Sequence, residues 1–373
     1  MNTTSTETEP RWAAFGRAID AVRKDAEARI GAEDLRHVRR LDALSRTFEV
    51  AGRGLLWIAF EPVTFALGTV LLFLHKQLQA TEIGHTALHG AFDKIPGVGR
   101  FHSERFRWET PIDEASWRHG HNVRHHQYTN VTGKDPDIHF GPVRLTEGTP
   151  YRAEHARQLP LTLLLLFPNF GFLMNLHFTG ALDLLHDNGL STRYDFVSDR
   201  GAATRREVLW KLARSYVPYY GKEFVLFPVL AALTGFSPWK VLLGTWLAET
   251  MRDVYTAATI YCGHVGAEVA SYPEGTKARG RGEFYAMQAA ASNDFEVPLP
   301  LSILCGGLDL QIEHHMFPRL PPWRLREVAP AVRRACEEHG VPYRKASWGA
   351  TLREALGTIR RLGSRPEAAT ARP

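Results

Sequence analysis

Seventeen of the 373 residues are histidine, and eight of them fall in a pattern. His85 and His89 are four apart, a spacing that on an α-helix stacks two side chains on one face, one turn apart. Two imidazoles so placed can share a metal ion, or can simply be two polar residues at a helix end. His121 and His125 repeat the spacing, and His126 adds a neighbour about 100° round the helix, so the adjacent pair can face two different ions. His119 lies off that face and is not expected to ligate. A second adjacent pair, His314-His315, is preceded at i−3 by Gln311, which can coordinate or hydrogen-bond, and Pro318 and Pro321 follow soon after. His264 stands alone after Tyr261-Cys262-Gly263. A lone histidine is ordinarily structural, but here the topology places it beside the other three clusters.

Cys262, Cys305 and Cys336 are scattered and accompany none of these groups. Thiolates select zinc, copper(I) or iron–sulfur chemistry, whereas imidazole suits iron, copper, zinc or nickel. Eight imidazoles, with Gln311 as a possible ninth participant, exceed the four ligands of one structural zinc. The natural partition is two metals with open positions. A redox-active pair beside apolar helices points to O₂ activation against a hydrocarbon. The competing reading, a membrane receptor with one structural zinc, needs no more than four of these histidines.

The elements that must hold this constellation are segregated by hydropathy. The chain is 44% hydrophobic and 23% charged with net charge +5, yet residues 54–74, 159–184 and 224–262 are almost free of Lys and Arg. The clustered apolar residues exclude a disordered chain, and the cysteine count excludes a disulfide scaffold. The mild basic balance suits a membrane or an acidic partner, and no nucleic acid is expected. Residues 1–10 read as disordered and 11–46 as amphipathic helix, with no apolar core of a secretory signal. Glu61-Pro62 interrupts the first apolar block, since proline disfavours helix in the residue before it. This predicts a hairpin of helices over about 46–60 and 63–90, with one kinked span as the alternative. Gly235-Phe236-Ser237-Pro238 splits the last block the same way. Seven basic residues against four acids in 186–222, Arg193 among them, place that segment in the cytoplasm by the positive-inside rule.

The expected fold is therefore all-α: an integral membrane bundle of two transmembrane hairpins, four helices, under a cytoplasmic helical cap carrying the histidines. Residues 159–184 lie along the interface in this scheme, which keeps every polar segment and the active site on the cytoplasmic face of a multi-pass protein. Each hairpin arm has only some 13–15 clearly apolar residues, short of the roughly 20 of a full span, so the helices must continue with mixed residues. The domains are 1–45, a cytoplasmic N-terminal segment; 46–345, the membrane domain; and 346–373, a C-terminal tail, disordered from 360.

The text Glu82-Ile-Gly-His-Thr-Ala-Leu-His89-Gly90, Gly120-His-Asn-Val-Arg-His-His-Gln-Tyr-Thr-Asn130, Asp135-Pro-Asp137 and Gly306-Gly-Leu-Asp-Leu-Gln-Ile-Glu-His-His-Met-Phe-Pro318 resembles the membrane fatty acid desaturases with three histidine boxes. The order and separation of the boxes also fit, over roughly 45–345. The Gln-Ile-Glu-His-His form resembles that of acyl-lipid and acyl-CoA desaturases; hydroxylases, ketolases and decarboxylating alkene-forming oxidases look similar at this level. The resemblance implies a di-iron centre, O₂, two electrons per turnover and a bent tunnel for a fatty acyl substrate. The iron ligands it implies are His85, His89, His121, His125, His126, His264, His314 and His315. Many relatives with the glutamine form carry a fused cytochrome b5 domain marked by His-Pro-Gly-Gly; that motif does not occur here. A separate donor of ferredoxin, rubredoxin or cytochrome b5 type is expected instead, met by Arg118, Arg124, Arg319 and Arg324. Glu82, Asp135, Asp137, Asp309 and Glu313 are candidate orienters of the imidazoles, with helix caps or solvated surface as the alternative. Trp108, Trp117 and Trp239 either line the tunnel or sit at the lipid interface. Glu249, Arg252 and Asp253 interrupt the last apolar helix, where buried charge is costly. Arg118, Arg124 and Lys134 could meet a phosphate or form a solvated basic face.

Overall fold

The computed structural model describes residues 8–140, 143–185, 196–197 and 199–365. It is mostly helical, with two small two-stranded sheets, one antiparallel and one parallel. Helix α1 is Thr8–Ala28 and α2 is Ala32–Ile58. Helix α3, Pro62–Leu78, is prolonged by a π-helical turn, Gln79–His85. Residues 114–128 form α4, of which Arg118–His125 is π-helical. Then come α5 (Ala153–Phe178), α6 (residues 202–233) and α7 (Pro238–His264). The C-terminal third holds α8 (Arg281–Ala290), α9 (Gln311–Met316), α10 (Pro322–His339) and α11 (Trp348–Leu362).

Glu61-Pro62 breaks the first apolar block as expected. Pro62 opens α3 and the Glu61 carboxylate accepts from the amides of Val63 and Thr64, both at 2.6 Å, satisfying two of the free donors at the helix start. Helices α2 and α3 pack antiparallel, so the single kinked span is not what forms. Glycines permit the close approach: a Cβ on Gly52 would meet the Leu72 amide nitrogen at 2.8 Å, and one on Gly68 the Gly52 carbonyl at 3.0 Å. The second break also holds, with α6 ending at Leu233, Gly235 at φ +83° and Pro238 opening α7.

Ionic groups cross-link these helices in their interior. Arg53 of α2 meets Glu223 of α6 at 2.7 Å; Lys76 of α3 meets Glu223 at 2.8 Å and Glu249 of α7 at 2.9 Å. Arg252 pairs with Glu249 and, at 2.8 Å, with Asp253. Three cations and three carboxylates cancel, which is how charge is tolerated at buried positions.

Several expectations change. Helix α2 crosses residue 45 without a break. The N-terminal helix α1 is docked, with Phe15 and Ile19 buried against α8 and α10. The segment 346–373 is not a tail through most of its length: α11 buries Ala355 and Ile359 against α5 and α7. Its apolar face repeats at helical spacing and finds a partner only in the folded chain. Residues 366–373, residues 1–7 and Arg193 lie outside the described residues. Among those described, one helix is apolar and long enough to cross a membrane by length and composition, and it is α5, the segment expected at the interface.

Candidate metal centre

All eight histidines converge. They arrive on α4, α9, the π-helical end of α3 with the turn after it, and the C-terminus of α7. The ring nitrogens of His85, His89, His121 and His314 lie within 4.8 Å of one another, and so do those of His125, His264 and His315. His126 sits between the two sets, its Nε2 3.2 Å from His121 Nε2 and its ring stacked at 4.3 Å on His315.

The α-helix expected from the four-residue spacing is not what forms: Arg118–His125 is π-helical, closed by i→i+5 bonds. His121 Nε2 meets His126 Nε2 at 3.2 Å, and His121 also groups with His125 and Asp137, while His125 groups in turn with His264 and His315. His119 stays apart, near Phe196, as expected.

The donor arrangement fits metal ions. His85 Nε2 lies 3.2 Å from His89 Nε2 and 3.4 Å from His121 Nε2, and His315 Nε2 lies 3.0 Å from His264 Nε2. His314 Nε2 is buried without a hydrogen-bond partner among the described residues. A neutral imidazole has one N–H, so nitrogens crowded this way cannot all satisfy one another, whereas a cation among them takes every lone pair. Gln311 joins the second set, its amide 2.6 Å from His264 Nε2 and its Oε1 without a partner among the described residues. Burial holds His121, His126, His314 and His315 well below the usual imidazole pKa, keeping them neutral. For His125 burial works the same way, but the carboxylates of Asp135 and Asp137 lift its pKa to about 9.

Of the five candidate orienting acids, two reach imidazoles. Asp135 accepts from His125 Nδ1 at 3.0 Å, and Asp137 lies 3.5 Å from His121 Nδ1. Glu82 pairs with Arg326 at 3.3 Å, Asp309 accepts from Ser302 at 2.6 Å, and Glu313 accepts from Tyr343 at 3.0 Å. One orienter was not foreseen: Gln288 of α8, whose Oε1 lies 2.9 Å from His315 Nδ1, with Thr129 Oγ1 at 3.1 Å. Its only signal is a lone polar side chain in the run Ala286-Met-Gln-Ala-Ala290.

An apolar cavity opens beside the imidazoles, lined by Trp108, Trp117, Phe170, Met174 and Ile260 and reaching Arg252 and Asp253. Trp239 is elsewhere, 75% exposed at the tip of the second hairpin. The proposed basic groups do not converge: Arg118 donates to the Ser103 carbonyl, Arg124 lies over Phe196 and Lys134 over Tyr128. Arg324 is no docking residue, being buried on Asp34 at 2.9 Å. A further group, Glu49, His75 and Glu109, is already met by Arg46 at 3.0 Å and Lys222 at 3.2 Å and has the character of an ion-pair network.

The fatty acid desaturase family model matches residues 56–347. The chain is 30% identical over 341 residues to an NADPH-dependent stearoyl-CoA 9-desaturase of Mycobacterium tuberculosis, covering 88% of this chain and 75% of that one. It is 25% identical to an sn-1 linoleoyl-lipid 6-desaturase of Synechocystis, over 77% of this chain and 78% of the other. It is 22% identical to a Delta(5) fatty acid desaturase of Dictyostelium discoideum, over 83% and 64%.

Proposed function

The chain belongs to the fatty acid desaturase family, and from that premise we propose that it is an O₂-dependent acyl desaturase with two irons held by its eight clustered histidines. The observation that carries this reading is the crowding of imidazole nitrogens at 3.0–3.4 Å against an apolar cavity. His85, His89, His121 and His314 would hold one iron, His125, His264 and His315 the other, with His126 between them. An iron pair with O₂ supplies the oxidising power to take one hydrogen from each of two neighbouring methylenes.

The chain's own residues do the rest. The Asp135 carboxylate accepts the His125 Nδ1 proton and Gln288 Oε1 that of His315, so each ring would turn its Nε2 to a bound metal, which on His125 would displace the second proton. Trp108, Trp117, Met174 and Ile260 wall in a methylene chain and exclude water. Choosing one CH₂ among equivalent neighbours is then a matter of orientation, which such a cavity imposes by shape.

Membrane spanning by α2, α3, α6 and α7 belongs to the same proposal. Exposed apolar side chains run from Trp239 to Val254 on α7, about 22 Å, and from Leu209 to Leu233 on α6, about 36 Å, against roughly 30 Å of bilayer hydrocarbon. Arg53, Lys76, Glu223, Glu249, Arg252 and Asp253, which interrupt these arms, lie inside the bundle and pair with one another. A separate electron-carrying protein would dock on the cytoplasmic side.

Lipid profiling of cells with and without the gene tests the activity. A new double bond is expected; a hydroxylated chain instead would move the protein to the alternative oxidases. His125→Ala or His315→Ala should abolish turnover and lower bound iron, while His37→Ala and His339→Ala, outside the cluster, should leave iron content unchanged.

A further inference from the structure

The far end of the cavity differs from its walls. From His264 the cavity follows α7 back through Ile260 and Thr256 to Asp253 and Arg252, twelve residues or about 18 Å along the helix. There it meets polar groups that bind one another. Arg252, 2% exposed, is held by Glu249 and, at 2.8 Å, by Asp253, and Asp253 Oδ1 accepts the Gly171 amide at 3.2 Å. A side chain at Gly171 would press on this surface, and its neighbours would have to give by a few tenths of an ångström. A Cβ there would stand 3.1 Å from Arg252 Nη2, 3.2 Å from Asp253 Oδ1 and 3.4 Å from Pro111 Cγ.

We propose that Arg252, Asp253 and Gly171 form the floor of the acyl cavity and set the longest chain it accepts; this rests on the acyl reading above. The charges at this end cancel, with Glu249 and Asp253 against Arg252 and Lys76, so nothing here attracts a carboxylate. The chain end that arrives is the uncharged one. Arg252 Nε and Thr110 Oγ1 are buried without hydrogen-bond partners among the described residues, and both residues line the cavity. Polar groups in that position hold water, and a methyl end that displaced it would leave them dry. The chain therefore stops one water layer short of the guanidinium.

The test is product length in the iron-loaded protein supplied with an electron carrier and a series of saturated acyl substrates. Gly171→Ala should raise the floor and cut turnover of the longest accepted chain about tenfold relative to the next shorter one, the usual effect of one methyl group in a fitted pocket. Arg252→Ala/Asp253→Ala removes one cation and one anion together, leaves Glu249 paired with Lys76, and should admit longer chains. If the double variant fails to fold, Gly171→Ala decides alone. The metal-free protein gives an independent readout: the acyl length giving the largest rise in Tm should shorten in Gly171→Ala. Length preference unmoved in Gly171→Ala while wild-type protein desaturates would overturn the floor alone. Wild-type protein that turns over no acyl substrate would overturn the acyl reading and the floor with it.

Discussion

Gln288 touches a clustered imidazole from outside the cluster. It bonds the Nδ1 of His315 at 2.9 Å from a helix that contributes no imidazole of its own. Without it, His315 keeps its ring but loses the partner that selects its tautomer. Gln288→Leu should therefore weaken metal binding by about 10–100-fold while the protein stays folded, measured by competition with a chelator. Gln288→Glu, which still accepts the proton, should retain more affinity. Asp135 plays the corresponding part for His125 and was visible in the sequence, because it sits ten residues away in a box-like Asp-Pro-Asp. Gln288 was not, since its partner is 27 residues distant and nothing local marks the pair.

At the scale of elements, α11 matters most among the departures from expectation. Its sequence is charged on one face and apolar on the other, so in isolation it reads as surface. In the fold Ala355 and Ile359 are fully buried against α5 and α7, the helix that ends in His264. Ile359→Ala should cost about 2–5 kcal/mol of stability, checked by thermal or denaturant unfolding in detergent. Truncation after residue 346 should lower bound iron as well if the proposed centre is right, because it uncovers α7 near His264. The π-helical turns are the other element-scale result. Two of them lie where α3 and α4 enter the cluster, and in the second His121 Nε2 comes to 3.2 Å from His126 Nε2.

For the whole molecule, the two helical hairpins bring their tips together, Lys240 bonding the Ala59 carbonyl, away from the eight clustered histidines. Cysteines placed at Thr204 and at Phe236, the latter 39% exposed at the second tip, should differ in intact cells: an impermeant reagent should label Phe236→Cys and spare Thr204→Cys. Labelling at Thr204 would refute the hairpin topology and favour single spans. Electron supply is tested at the same scale. Purified protein with NADPH alone should form no product, and adding a carrier with its reductase should restore turnover. If docking is steered by charge, the rate should fall as salt rises. Turnover with NADPH and no carrier would defeat this scheme.

The histidine types and spacings, the two Pro-marked breaks and the segregation of apolar blocks were local properties, so the chain alone disclosed the family, the helical character and the eight converging residues. Gln288, the burial of Arg324 on Asp34, the docking of α1 and α11, and the neutral ionic link from Arg53 to Asp253 were decided only in the fold. Each depends on which face of one helix meets another far away in sequence. Helical periodicity shows that a face exists; the partner is chosen by packing, and a buried charge is tolerated only where packing brings its counter-charge.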